Sequence, residues 1–370
     1  MDTTLQTTDS EALTSDASTD PIGTSAAQGR SAVLEELILQ DPGQFRVLTG
    51  DRPTGRLHLG HYFGTLHNRM RLQNLGVETF VIIADYQVLT DRDIADNLTE
   101  YVEELVLDYL AIGVDPARST IFTHSAVPAL NQLMLPFLSL VSVSELNRNP
   151  TVKDEIAHSR QSAVSGLMFT YPVHQAADIL FCKANLVPVG QDQLPHLEIT
   201  RTVARRFNER YGNGTPVFPR PDALLSNAPL LLGMDGTKMS KSRGNAITLA
   251  ADADETARLI KGAKTDSERF ITYDPVTRPE VSSLLLLTAL CQNRAPEQIA
   301  AEIGSAGAAA LKRTVTEAVN EFLAPIRARR TELAQDRTHL RRVLREGNER
   351  ANAVADATLA EVRTAMNSHY

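Results

Sequence analysis

The chain reads as an α/β protein, with a doubly wound parallel-sheet domain followed by an all-helical C-terminal domain. Two observations predict this. Short runs of β-branched and aromatic residues alternate with helical stretches of roughly 10–15 residues, the pattern of parallel βαβ units. Strand signals then stop near residue 247, and only helical patterns follow. At roughly 100–200 residues per domain, a chain of this length holds two.

The elements follow in order. Residues 45–50 form a first strand ending in Gly50, and a turn-rich stretch leads into a helix over 59–75. A second strand covers 79–85, a helix 97–112 and a third strand 119–123. The next helix is expected over 172–183 with Pro172 in its first turn, where a missing N–H costs nothing. A short strand over 187–190 precedes a long helix that opens at Asp192 and runs to about 210. Helices over 282–290, 296–303, 308–330 and 337–366 complete the chain, so the expected domains are 44–246 and 247–370. Residues 1–43 are expected to be a disordered extension, rich in Thr, Ser, Ala and Asp. Apolar spacing begins there only with Val33, Leu34, Leu37 and Ile38. Five acidic residues precede Arg30, and no apolar core for a signal peptide is present, so neither a transit nor a secretory peptide fits.

Composition excludes several classes. With 37 basic and 45 acidic residues the net charge is −8, so a polyanion partner must be met by a local patch rather than a basic coat. Cys182 and Cys291 are too few for a disulfide scaffold or a Cys-rich zinc site. No apolar run reaches the roughly 18–20 residues of a membrane span. A cytoplasmic globular protein is expected.

Three stretches carry chemistry. Thr54-Gly-Arg-Leu-His58-Leu-Gly60-His61 follows the first strand and opens a helix. Two histidines three apart share one face there, beside backbone N–H groups that favour an anion, and Gly60 leaves the backbone open to a phosphate or ribose. Downstream, Gly233-Met-Asp-Gly-Thr-Lys238-Met239-Ser240-Lys241-Ser242 describes a mobile cationic loop. Such a loop can close over a triphosphate and oppose the charge of a leaving pyrophosphate. Neither a P-loop nor a GxGxxG stretch is present, which disfavours P-loop kinases and dinucleotide dehydrogenases. The third stretch runs from Met168 to Leu180, where Tyr171, Gln175 and Asp178 share one face of an otherwise apolar helix. Buried, such groups need partners, which a bound amino acid would supply.

HLGH at 58–61 and KMSKS at 238–242 resemble the two signatures of the class I aminoacyl-tRNA synthetases. TYPVHQAADIL at 170–180 and VPVGQDQLPHLEITRTVARRFNERYG at 187–212 resemble the tryptophanyl-tRNA synthetase family, continuously from about residue 47 to the C-terminus. The resemblance implies a Rossmann-like catalytic domain and activation of L-tryptophan by ATP, with Mg²⁺ on the phosphates. Transfer to tRNA(Trp), a helical anticodon-binding domain and a homodimer are implied with it. It places His58, His61, Lys238 and Lys241 in catalysis. Arg52, Pro53, Thr54, Gly60, His61, Gly190, Gln191, Asp192 and residues 238–242 (Lys238, Met239, Ser240, Lys241, Ser242) would hold ATP. Asp178 would accept the indole N–H, Tyr171 and Gln175 would hold the α-amino group, Val187 and Val189 would flank the ring, and Gln193 would complete the site. No resident metal site is expected.

Leu48 and Ala84 depart from the family by removing bulk from the expected indole pocket, which predicts tolerance of ring-substituted tryptophans. The tyrosyl-tRNA synthetases, which also use a Tyr…Gln…Asp helix, are the nearest alternative. Another is an auxiliary paralogue that binds a further protein. On α-helical spacing Arg330, Arg337, Arg341 and Arg345 share a face, expected to dock the tRNA backbone.

Overall fold

The structure is a computed structural model, and it describes residues 21–90, 97–158, 164–225, 231–240 and 243–370. Five parallel strands form one sheet: β1 (Arg46–Asp51), β2 (Glu78–Ile83), β3 (Ser119–Thr123), β4 (Leu186–Val189) and β5 (Asp222–Leu225). Their order is β3-β2-β1-β4-β5, so the winding reverses between β1 and β4. A doubly wound sheet opens a crevice at that reversal, beyond the carboxyl ends of the strands. The predicted fold class stands.

Both faces of the sheet are buried, as parallel strands require. Leu48, Phe80, Ile82 and Phe122 pack into one cluster with Val173, Ile179 and Phe207. Val81, Ile83 and Ile121 pack into the other, with Leu59, Leu105 and Tyr109. The helices in chain order are α1 (Pro21–Gln40), α2 (Leu59–His61), α3 (His67–Leu75), α4 (Leu98–Ile112), α5 (Pro128–Leu138), α6 (Val143–Arg148) and α7 (Pro150–His158). Then come α8 (Gly166–Leu180), α9 (Leu194–Tyr211), α10 (Ala253–Lys261), α11 (Pro279–Gln292), α12 (Pro296–Ile303), α13 (Gly307–Ala334) and α14 (Arg337–Ala365). Between α2 and α3, Tyr62–Leu66 is wound as a π-turn, a local widening frequent beside functional sites.

Two expectations are corrected. Part of the expected disordered extension is helix α1, and residues 1–20 lie outside the described residues. Three of the four residues that broke the polar pattern explain it: Leu34 and Ile38 are buried against Val47, Leu186 and Leu224, with Leu37 packed partly against them. Ser31 seals the contact, its hydroxyl accepting from Leu225 N at 2.9 Å. Secondly, α8 begins six residues before Pro172, because Ser165 caps it by accepting from Met168 N. Pro172 therefore sits inside the helix, where it only forfeits the bond to the Met168 carbonyl.

The helices after 247 share a core with the sheet: one cluster runs from Leu57 through Ile247 to Val343. The last helix returns to the sheet and covers the edge strand β3. A Cβ on Gly347 would lie 1.8 Å from the Ile121 carbonyl oxygen, so only glycine lets α14 pass that close. Strand β5, only four residues long, gave no sequence signal.

Candidate active site

A cavity of about 330 Å³ opens at the reversal point between β1 and β4. Of the predicted amino-acid residues, Leu48, Ala84, Tyr171, Gln175, Asp178, Val187, Val189 and Gln193 all line it, together with Arg52 and Gly190. The register accounts for this. Leu48, Ala84, Val187 and Val189 come from β1, the end of β2 and β4, and Tyr171, Gln175 and Asp178 come from one face of α8.

Asp178 is 2% exposed, and both its oxygens are engaged. Oδ1 lies 2.8 Å from His124 Nε2, and Oδ2 accepts from Gln87 Nε2 at 3.1 Å. An ionised carboxylate buried this deeply needs such donors. His124, His174 and Asp178 converge closely enough to hold a metal ion, a cluster that local spacing does not reveal because His124 lies 50 residues before His174. Here they form hydrogen bonds: His124 to Asp178, and His174 Nε2 to Asn131 Oδ1 at 2.8 Å.

Tyr171 is oriented by a second buried histidine. Its hydroxyl lies 2.8 Å from His196 Nε2, and Asn149 Nδ2 lies 3.4 Å from His196 Nδ1. Asn149 Oδ1 accepts from Thr151 N and Val152 N, which turns the Asn149 amide nitrogen toward the ring. His196 therefore accepts at Nδ1 and donates from Nε2 to the Tyr171 oxygen. Burial pushes His196 down to about 4, so the imidazole is neutral at physiological pH. Beneath the cavity, Asp51 pairs with Arg69 at 3.0 Å and accepts from the Tyr109 hydroxyl at 2.7 Å. Burial alone would raise the Asp51 carboxyl, but the Arg69 charge and the Tyr109 bond outweigh it and hold it below its ordinary value. Neither this pair nor His124 and His196 was read from sequence, because the partner of each is remote along the chain.

The two signature segments meet. Leu59 N donates to the Ile247 carbonyl, and Leu249 N donates to the Leu57 carbonyl, so the HLGH stretch is bridged to the chain just after the lysine loop. A Cβ on Gly60 would lie 3.0 Å from the His58 ring and 3.1 Å from Met239 Sδ. Gly60 thus lets Met239 of the second motif approach the HLGH turn closely. The His58 and His61 rings lie with centroids 3.6 Å apart, tilted by 39°, and His58 N donates to His61 Nδ1. Pro53 is buried and Thr54 half-buried beside them.

The lysine loop is wound around two side chains. Asp235 Oδ1 accepts from Thr237 N, the Thr237 hydroxyl and Asn245 Nδ2, while Asn245 Oδ1 accepts from Ser240 N. Those bonds, the Thr237 amide first, hold the Asp235 carboxyl below its ordinary value. The turn exposes Lys238 and buries Met239. Lys241 and Ser242 lie outside the described residues. On the opposite rim, Gln191 and Asp192 are exposed, and Asp192 Oδ2 accepts from Gln193 Nε2 at 2.9 Å.

Arg330 bonds Asp108 Oδ1 at 2.8 Å and also Glu104; Arg337 bonds Glu104 and Glu103; Arg341 bonds Glu103 at 2.7 Å. The predicted row is a row that pairs with carboxylates of α4: Arg330 is mostly buried in its pairs, Arg337 is half-exposed, and Arg341 keeps 70% of its side chain in solvent. Arg345, 4.0 Å from Glu349, stays mostly exposed.

The family model described as tRNA synthetases class I (W and Y) matches residues 40–324. The tryptophan–tRNA ligase of Clostridium longisporum is 41% identical over 331 residues, 88% of this chain and 97% of that one. That of Treponema pallidum is 44% identical over 330 residues, 87% and 96% of the two chains. Among solved structures, tryptophanyl-tRNA synthetase from Campylobacter jejuni complexed with ADP and tryptophan superposes with a TM-score of 0.75 at 28% identity, covering 87% of this chain and 99% of that one.

Proposed function

The chain belongs to the class I tRNA synthetases of the tryptophan and tyrosine group, and from that premise we infer how its site works as a tryptophan–tRNA ligase. It activates L-tryptophan with ATP to tryptophanyl-adenylate and pyrophosphate, then transfers the tryptophanyl group to tRNA(Trp). The observation that carries the amino-acid choice is Asp178: a buried carboxylate, fixed at both oxygens, at the apolar end of the cavity. Indole N–H is a donor only, so an ionised acceptor is its natural partner.

The reaction needs no covalent nucleophile from the protein. The substrate carboxylate attacks the α-phosphorus, the bond to the β-phosphate oxygen breaks, and pyrophosphate leaves, so catalysis is positioning and charge stabilisation. In this reading Tyr171 and Gln175 hold the ammonium group, and Val187, Val189, Leu48 and Ala84 enclose the ring with Gln193 at the mouth. Arg52, Pro53 and Thr54 flank ATP on one side, and Gly190, Gln191 and Asp192 meet the ribose and adenylate on the other. His58 and His61 face the phosphates. Lys238 and Lys241, carried with Met239, Ser240 and Ser242, oppose the charge of the departing pyrophosphate. Mg²⁺ travels with the phosphate oxygens and its waters, as this reluctantly dehydrated ion does.

Because Leu48 and Ala84 leave room in the pocket, the site accepts ring-substituted tryptophans. The protein works as a cytoplasmic homodimer, with exposed Leu135 and Val143 as apolar surface available for the contact. No described helix is long and apolar enough to cross a membrane. Of the predicted row, Arg337, Arg341 and Arg345 keep solvent-exposed side chains with which to meet tRNA phosphates, and Arg330 anchors the row from below.

Tryptophan-dependent ATP–pyrophosphate exchange, with tyrosine and phenylalanine as controls, tests this. Exchange with tryptophan alone, falling by about 10³-fold or more in Asp178→Ala, is expected, because an acceptor built for one donor discriminates strongly. Exchange with tyrosine instead would move the chain to the sister group, and exchange with no amino acid would overturn the ligase reading.

A further inference from the structure

Asp178 is not a self-sufficient acceptor. An aspartate carboxylate turns about its terminal bond, and a turned carboxylate would aim its lone pairs away from the ring nitrogen. Gln87 fixes one oxygen but is itself a half-exposed residue of the cavity wall. The other oxygen is fixed by His124, which is fully buried and lies outside the cavity lining.

His124 is in turn over-determined. It opens the turn His124–Ala126 that follows β3, and the last helix grips the chain on both sides of it. Asn348 Oδ1 accepts from Thr123 N at 3.0 Å, and Asn352 Nδ2 donates to the Ala126 carbonyl at 2.7 Å. Asn131 Nδ2 donates to the carbonyl of His124 itself at 2.7 Å. That bond leaves Asn131 Oδ1 as acceptor for His174, whose ring centroid lies 4.5 Å from that of His124. The imidazole therefore has one position. Its Nε2 carries the hydrogen toward Asp178, while Nδ1 makes no hydrogen bond and faces Asp85 Oδ1 at 4.0 Å.

We propose that His124 is the residue that sets tryptophan specificity through Asp178: it holds the carboxylate at the angle at which the remaining lone pairs accept a ring N–H. The inference rests on the tryptophan reading above. It makes His124 a positioning residue, not a catalytic one, and it gives the choice of an N–H-bearing ring a two-layer origin.

The test compares tryptophan with benzothienylalanine, in which sulfur replaces the ring N–H, in ATP–pyrophosphate exchange by the full chain. Removing the donor in His124→Leu is expected to raise KM for tryptophan by about 10- to 100-fold, the range for a bond to a charged group, with little change in kcat. KM for the sulfur isostere should stay unchanged, so the preference between the two collapses. His124→Gln, which restores a donor of similar reach, should recover most of the preference. Since the chain contains no tryptophan, emission from the substrate ring reports binding directly and checks each variant without turnover. Equal losses on both substrates would reduce His124 to general support of the pocket and overturn the proposal, as would a preference unaltered in His124→Leu or unrecovered in His124→Gln. Failure of the underlying reading looks different: the unmodified chain would then show no exchange with tryptophan.

Discussion

Two polar stripes on helices of this protein gave the same kind of sequence signal and have opposite fates. On α8, Tyr171, Gln175 and Asp178 share a face that turns inward and lines a cavity. On α13 and α14, Arg330, Arg337 and Arg341 form a second row, mostly buried at Arg330 and open to solvent by Arg341, and α4 meets it with Glu103, Glu104 and Asp108. Helical spacing says which side chains are neighbours; it does not say what lies across from them. The cavity opposite α8 leaves its polar groups for a ligand.

The largest effect should come from breaking the second stripe. Asp108 is fully buried; one oxygen meets Arg330 and the other accepts from Leu57 N, the residue before the HLGH stretch. Burial raises the Asp108 carboxyl, and the Arg330 bond only partly opposes that rise. Arg330→Ala should therefore destabilise the protein by about 3 kcal/mol, the cost of leaving a buried carboxylate without its partner. Arg345→Ala, on an exposed side chain, should change stability by no more than about 0.5 kcal/mol. Chemical denaturation of both variants decides it. Equal midpoints would mean that the arginines are interchangeable surface charges after all.

Next in size is a pH effect confined to the first stripe. His196, which donates to Tyr171, titrates near 4 in the folded protein against 6.5 for an unperturbed imidazole. Between those values the unfolded chain binds a proton that the folded chain refuses. The stabilisation is thus complete above pH 6.5 and lost as pH falls toward 4, by about 3 kcal/mol over the window. His174, also lowered by burial, acts in the same direction. Denaturation midpoints of the native chain and of His196→Asn, followed from neutral pH downward, should diverge in slope. Parallel curves would show that His196 is already charged in the folded protein.

How much of this was legible beforehand follows from what short-range pattern can carry. The α/β alternation, four of the five strands and the eight cavity residues were readable, because each depends on local spacing or on a contiguous motif. Strand β5 was missed because its four residues, Asp-Ala-Leu-Leu, include no β-branched or aromatic side chain, whereas the equally short β4 carries two valines. Helix α1 was missed because its polar half resembles an unfolded tail, and only Leu34 and Ile38 dock it. His124, Asn245 and the Asp51–Arg69 pair were invisible for a different reason. The partner of each is remote in sequence or set by a turn, so no local spacing marks it.

The smallest effect concerns the apolar wall of the first stripe. Ala84, at the end of β2, and Leu48, on β1, both line the cavity, and both are smaller than the side chains that the family resemblance leads one to expect there. A methyl-substituted indole has to occupy the volume that those side chains vacate. Ala84→Val returns two methyl groups to that wall without touching Asp178 or its donors. Exchange with a ring-methylated tryptophan should then fall by about tenfold relative to tryptophan, since a methylene-sized mismatch in an apolar pocket is worth only that order. Tryptophan itself, which does not reach the vacated volume, should be activated at nearly the rate of the unmodified protein. If both substrates lose activity together, the added bulk has displaced the α8 stripe, and the space beside Ala84 belongs to packing rather than to the ligand.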